Sequence, residues 1–489
     1  MTFQRGLLCA ALLAAWPAAQ ARTLGTLEFE PCTLAPEFQS SSVEAQCGTM
    51  KVPENRDAPD GRQIELAIAW VPTDNEDAPD PVFMLAGGPG QSARDSYPGV
   101  AAAFRDIRRK RHVILVDQRG TGGSNALTCR DAKGDNAFAE SLDDNAAAAA
   151  EFARKCAALL AGKADPRYYT TSDAIQDLDA VRAAIGAAQV NLVGISYGTR
   201  VAQQYARRYP QQVRSLILDG VVPNELMLGS EHAKNLEAAL DLHFARCTGD
   251  ERCAEELGSP RDNLRQLATE LRAAKRAVRY RDPFTGELVD GELTYGHLAG
   301  VVRMYAYAPM AAAMLPLGLH EAAQGRGDTL MAQASMLFGQ LGDQITHGMQ
   351  LSVLCAEDAA GLKVDPADAQ SVLGTEFIEF SLAQCAAWPT GAMPADFHAP
   401  LQGEVPVLLL SGEYDPVTPP RYGEQVLAGL KRARHLVLKG QGHNVIGVGC
   451  APKLAARFID TADAGKLEVD CLDELRASPP FAGFYGWEP

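Results

Sequence analysis

The sequence predicts an α/β fold: a mostly parallel sheet whose order is interrupted by a long, mainly helical insertion. Three observations carry this. From residue 82 to 220, short apolar runs alternate with helical stretches, and such alternation implies a parallel sheet covered on both faces. Clear strand-like runs then stop from about Asn224 to Asp396 and resume at Val405. Finally, an apolar run through Leu192 and Val193 ends in Gly194-Ile195-Ser196-Tyr197-Gly198, and helical spacing follows through Val201, Tyr205 and Tyr209. The chain thus divides into an N-terminal export signal (1–21), a first core segment (22–223), a helical cap (224–396) and a second core segment (397–489).

Composition narrows the class. The 489 residues are 47% hydrophobic and 22% charged, ordinary for a globular protein, and the net charge of −16 argues against nucleic acid and anionic membrane surfaces as partners. Residues 1–21 have the three parts of a secretory signal: Arg5, an apolar stretch from Gly6 to Trp16, and the small-residue site Ala19-Gln20-Ala21. No other segment is long and apolar enough for stable membrane insertion. Cys9 lies within the signal, so ten of the 11 cysteines remain, an even number that reads as a disulfide framework in a periplasmic or secreted protein. Close succession predicts the pairs Cys32–Cys47, Cys129–Cys156, Cys247–Cys253, Cys355–Cys385 and Cys450–Cys471. No C-x-x-C pair or histidine cluster calls for a metal, and nothing calls for a cofactor.

Residues 22–60 read as an irregular lead-in, and Ile64 to Pro72 as an edge strand. Pro79 and Pro81 introduce the buried strand Val82–Leu85, which opens into Ala86-Gly87-Gly88-Pro89-Gly90, a tight loop whose amides are free to face a ligand. The next strand, His112 to Val116, runs into Asp117-Gln118-Arg119-Gly120-Thr121-Gly122-Gly123-Ser124. This lacks the third glycine of a dinucleotide loop and the Gly-Lys-Ser/Thr of a phosphate loop, so Asp117 and Arg119 are expected to pair and brace the loops. Residues 131–165 are alanine-rich and helical. Thr171-Ser172-Asp173 offers an N-cap to a helix whose apolar face holds Ile175, Leu178, Val181 and Ile185. Val213 to Leu218 is a strand closing at Asp219-Gly220. In the cap, Met304, Tyr305, Tyr307, Met310 and Met314 read as core. Strands Val405–Leu410 and His435–Leu438 and a helix from Pro452 to Phe458 complete the order.

Ser196, Asp415 and His443 each follow a predicted strand, in the order nucleophile, acid, base that α/β-hydrolases use. A serine hydroxyl needs a base within hydrogen-bond reach. His443 is the candidate base, and Asp415 would fix its tautomer and stabilise the imidazolium. Glu413 is the competing carboxylate but sits closer to the strand end. The amides of Tyr197 and Gly88 are the candidate oxyanion donors.

Taken together, Gly87-Gly88-Pro89-Gly90, Asp117-Gln118-Arg119-Gly120-x-Gly122-x-Ser124, Gly194-Ile195-Ser196-Tyr197-Gly198-Thr199, Leu218-Asp219-Gly220-Val221-Val222-Pro223, Asp415-Pro416-Val417-Thr418-Pro419 and Gly442-His443 resemble the exported tripeptidyl-aminopeptidase and prolyl-aminopeptidase branch of the α/β-hydrolases. The resemblance covers about residues 45–475. Ala86 stands where prolyl aminopeptidases usually have histidine, which favours the tripeptidyl type. It implies hydrolysis of short peptides from the free N-terminus, with cap carboxylates holding the substrate's ammonium; Glu357 and Asp358, beside Cys355, are the candidates. The same triad also suits a carboxylesterase, since fold and triad do not fix the leaving group.

Overall fold

A computed structural model describes residues 21–36, 41–73, 75, 80–130, 145–484, 486 and 487. The export signal, apart from Ala21, lies outside the described residues, as do Pro79 and the first part of the helical stretch expected over 131–165.

Ten strands form one sheet: β1 (Arg22–Leu24), β2 (Leu27–Leu34), β3 (Val43–Pro53), β4 (Gln63–Val71), β5 (Val82–Leu85), β6 (Val113–Val116), β7 (Val190–Ile195), β8 (Val213–Asp219) and, beyond the insertion with its hairpin β9 (Arg276–Arg281) and β10 (Leu288–Leu293), β11 (Val407–Gly412) and β12 (Ala433–Leu438). The order is β1-β2-β3-β4-β6-β5-β7-β8-β11-β12. Every neighbouring pair from β6 to β12 is parallel, and β1 to β4 add an antiparallel meander. β5, β6, β7 and β11 are buried at every position, which is why they read as continuous apolar runs. Successive side chains point to opposite faces. Phe83, Ile114, Leu192, Leu216 and Leu409 pack in one apolar cluster, and their neighbours Met84, Leu115, Val193, Ile217 and Leu408 in another.

The lead-in is not irregular as expected but supplies β1, β2 and β3. These edge strands expose charged residues such as Glu28, Glu30, Glu44 and Lys51, so their alternation is weak. The cap hairpin was equally hidden, because β9 reads Arg-Ala-Val-Arg-Tyr-Arg and lies open to solvent on most positions. The rest of the insertion is mainly helical, with its own apolar cluster around Leu236, Leu240, Leu264, Leu298, Val302 and Leu319. The helix His347–Glu357 differs. Its Met349, Leu351, Val353 and Cys355 join the sheet's own cluster, so this part of the insertion is anchored in the core.

All five expected disulfides are present, at Cα separations of 4.8 to 6.3 Å. Such a framework fits an exported protein folded under oxidising conditions. Among the described residues no helix is long and apolar enough to cross a membrane.

Candidate active site

Ser196 sits between the end of β7 and the helix Tyr197–Arg208, with φ 55° and ψ −123°, a backbone conformation sparsely populated by non-glycine residues. Sterics explain the flanking glycines. A Cβ on Gly194 would drive into the Gly198 carbonyl, and one on Gly198 into the carbonyl of Leu85, so strand, turn and helix approach this closely only without side chains. The Ser196 N–H donates to the Asp219 carbonyl at 2.8 Å, tying the turn to the end of β8.

The loop after β5 comes up against the serine: a Cβ on Gly87 would lie 3.1 Å from Ser196 Cβ. Gly88 is exposed, with φ 102°. Neither its amide nor that of Tyr197 has a hydrogen-bond acceptor among the described residues. For Tyr197 this follows from its place in the first turn of a helix, where N–H groups lack intrahelical partners.

Asp415 and His443 are brought together from the loops after β11 and β12. His443 Nδ1 lies 2.7 Å from Asp415 Oδ2. Asp415 is held from every side: Oδ1 accepts from the amides of Val417 and Thr418 at 2.9 and 2.8 Å, and Oδ2 also accepts from Thr418 Oγ1 at 2.7 Å. Burial alone would raise the Asp415 pKa, but the facing imidazolium and these hydrogen bonds outweigh it and hold the carboxyl below its usual range. For His443, burial works against the charged form, yet the charge and hydrogen bond of Asp415, with the charge of Asp219, lift it above the ordinary histidine value. Glu413 is turned away, accepting from the Gly440 amide at 2.7 Å.

Two residues that sequence reasoning passed over build this geometry. Asp219, buried at the end of β8, accepts from the amides of Val445 and Ile446 at 2.8 to 2.9 Å, so one residue grips both the serine turn and the histidine loop. Burial raises its pKa to about 6, against the pull of those amides. Its only signal in the sequence was its place at a strand end. Tyr307 was expected in the cap core, as were Tyr305 and Met310. Tyr305 is there, but Met310 is 53% exposed, and Tyr307 crosses over the site. Its carbonyl accepts the His443 N–H at 2.8 Å and its ring stands edge-on to the imidazole, centroids 5.2 Å apart.

Three expectations are corrected. Asp117 and Arg119 do not pair with each other. Asp117 accepts from Ser92 Oγ and from the amides of Arg94 and Gly123, while the fully buried Arg119 forks onto Asp177 at 2.6 and 2.7 Å, because the chain turns sharply between them and faces them to different loops. The N-cap of the helix Thr171–Ala184 is Thr170, in a capping box with Asp173. And Glu357 and Asp358 are buried against internal partners and are not a free pair of anions. Asp358 is 0% exposed and meets Arg200 at 3.0 Å. Glu357 is 3% exposed, its oxygens accept from Thr171 N and Oγ1 at 2.6 and 2.8 Å, and burial, then the neighbouring Asp358, pushes its carboxyl up to about 8. Thr171 Oγ1 in turn meets Tyr197 Oη at 2.5 Å, so Glu357 backs the serine's own helix from behind.

A parallel sheet carrying a serine on a strained strand-to-helix turn defines an α/β-hydrolase, and a model of the alpha/beta hydrolase fold matches residues 80–246. A second model, of TAP-like proteins, matches residues 370–471. The chain is 27% identical over 485 residues to the serine protease Hip1 of Mycobacterium tuberculosis, covering 88% of each chain. It is 30% identical over 191 residues to the tripeptidyl aminopeptidase of Streptomyces lividans, 36% of this chain and 35% of that one. It is also 30% identical over 200 residues to carboxylesterase B of Mycobacterium tuberculosis, 38% of each. The fold is that of the α/β-hydrolases, residues 370–471 are TAP-like, and the protein is a serine hydrolase of the peptidase kind.

Proposed function

We propose that this is an exported peptidase that releases short peptides from a free N-terminus, of the tripeptidyl type, through Ser196, His443 and Asp415. His443 Nε2 takes the Ser196 proton as Oγ attacks the scissile carbonyl. The amides of Tyr197 and Gly88 receive the oxyanion, and the imidazolium, stabilised by Asp415, passes its proton to the leaving amine. Water then repeats the sequence on the acyl-enzyme. The observation that carries the reading is the 2.7 Å Asp415–His443 hydrogen bond, tied through Asp219 to a strained serine turn. Tyr307 over the imidazole limits the room above the site and so favours short chains. Similarity to a serine protease over 88% of the chain and partial similarity to a tripeptidyl aminopeptidase support peptide substrates. For Glu357 to hold the substrate's ammonium it must ionise and exchange Thr171 for it.

A carboxylesterase is the second reading, favoured by the engagement of Glu357 and Asp358 with internal partners and by the match to carboxylesterase B. One panel separates the two: tripeptidyl anilides with free and acetylated N-termini, against simple acyl esters. The free-amine anilides are expected to turn over fastest, and Glu357→Gln to raise their KM far more than that of the esters. Turnover of esters alone, indifferent to acetylation, would reverse the order of the two readings. Ser196→Ala is expected to lose fluorophosphonate labelling; persistent labelling would remove Ser196 from the mechanism.

The lifted His443 pKa has a kinetic consequence. The base works only when neutral, so kcat/KM should fall as pH drops through an apparent pKa above the ordinary 6.5. An acid limb centred below 6.5 in the rate profile would contradict the coupling to Asp415.

A further inference from the structure

The cap roof holds a cation with no anionic partner among the described residues. Arg303 lies on the helix Tyr295–Ala306, four residues before Tyr307, whose backbone is still helical, so the two side chains share a face about 5–6 Å apart at Cβ. Tyr307 is the residue that stands on His443, which places Arg303 one turn back along the same roof. Its guanidinium lies 4.9 Å from the centroid of the Phe377 ring, and Phe377 in turn packs 5.5 Å from the ring of His232. Half-buried Arg303 has no hydrogen bond or ion pair among the described residues. Arg119, Arg200, Arg214 and Arg261, by contrast, each face a carboxylate. Glu231 is engaged by Arg421 and Tyr422, and burial, then the Arg303 charge itself, holds His232 down to about 3, so that it stays neutral.

A guanidinium backed by an aromatic face is already oriented, and its planar fork matches a carboxylate bidentately. We propose that Arg303 is a specificity-determining residue that binds a carboxylate of the substrate, so that the enzyme prefers peptides with an anionic group close to the scissile bond. The carboxylate has two possible sources, an acidic side chain of the released peptide or the free C-terminus of a short leaving peptide. The inference rests on the peptidase reading for its substrates but is separable from it.

The experiment compares kcat/KM for matched pairs: tripeptidyl anilides with Glu or Gln beside the scissile bond, and short free-amine peptides ending in a carboxylate or a carboxamide. The wild type is expected to prefer the anionic member of one pair by about ten- to hundredfold. The first pair reports a side chain and the second a C-terminus. Arg303→Gln should abolish that preference, and Arg303→Lys should restore part of it, since the charge returns without the fork. Fluorophosphonate labelling of each variant shows that the site is still assembled. Equal rates within both pairs for the wild type, or a preference that survives Arg303→Gln, would overturn the proposal. If only esters turn over, the peptidase reading fails, and the same comparison made with hemisuccinate and neutral acyl esters still decides the role of Arg303.

Discussion

Asp415→Asn is expected to lower kcat by about 10⁴-fold while leaving KM nearly unchanged. Asp415 Oδ2 accepts from His443 Nδ1, which places the proton on Nδ1 and leaves Nε2 free to take one from Ser196. The amides of Val417 and Thr418 require an acceptor at Oδ1, so an asparagine would keep its oxygen there and turn its NH₂ toward the imidazole. Nδ1 would then have to accept, the proton would move to Nε2, and the base would be lost with the geometry intact. Wild-type-like stability, with kcat reduced by orders of magnitude, separates this from a folding defect. Among the described residues the other carboxylate whose charge raises His443 is Asp219, and both its oxygens are occupied by the Val445 and Ile446 amides. A loss of less than tenfold in Asp415→Asn would move the acid's role to Asp219.

Most of the candidate site's geometry was legible because its signals are local. Gly194 and Gly198 are required by backbone approach within a few residues, and Asp415 follows the apolar run of β11 and His443 the shorter run Leu436–Leu438 that ends β12. The central strands were legible for the same reason: burial on both faces leaves little but Val, Leu and Ile. Illegible parts depend on who faces whom at long range. β1 to β3 and the β9–β10 hairpin carry charges on open faces, so their period is diluted. Tyr307 and Arg303 act by standing over a site more than a hundred residues away in sequence, which helical spacing alone does not disclose. The pairing of Arg119 with Asp177 rather than with Asp117 is of the same kind. Glu357 and Asp358 show the limit most sharply: adjacent in sequence and beside one disulfide, they have unlike surroundings.

That difference yields opposite outcomes for two isosteric substitutions. Asp358→Asn strips the charge that faces Arg200, whose guanidinium is wholly buried between the serine's helix and the end of the helix His347–Glu357. The Leu226 carbonyl remains as a partner of Arg200 but carries no compensating charge. Removing one partner of a buried pair typically costs about 3–5 kcal/mol, and the variant should lose that much in urea titrations with the disulfides intact. Glu357→Gln should be nearly neutral at pH 7, because burial already holds Glu357 mostly protonated there and an amide can accept from the Thr171 N–H as the carboxyl does. Its effect should appear in the pH dependence. A carboxyl raised from 4.5 to about 8 binds more protons in the folded than in the unfolded state across that window, so its contribution is complete below 4.5 and is lost as pH rises toward 8. Between pH 6 and 8 the wild type should therefore lose a few kcal/mol that Glu357→Gln retains. Asp219, with a pKa of about 6, titrates at the lower end of that range but is present in both proteins, so the difference between the two curves belongs to Glu357. Parallel curves would mean that Glu357 is ionised in the folded protein, which is the state an ammonium anchor needs.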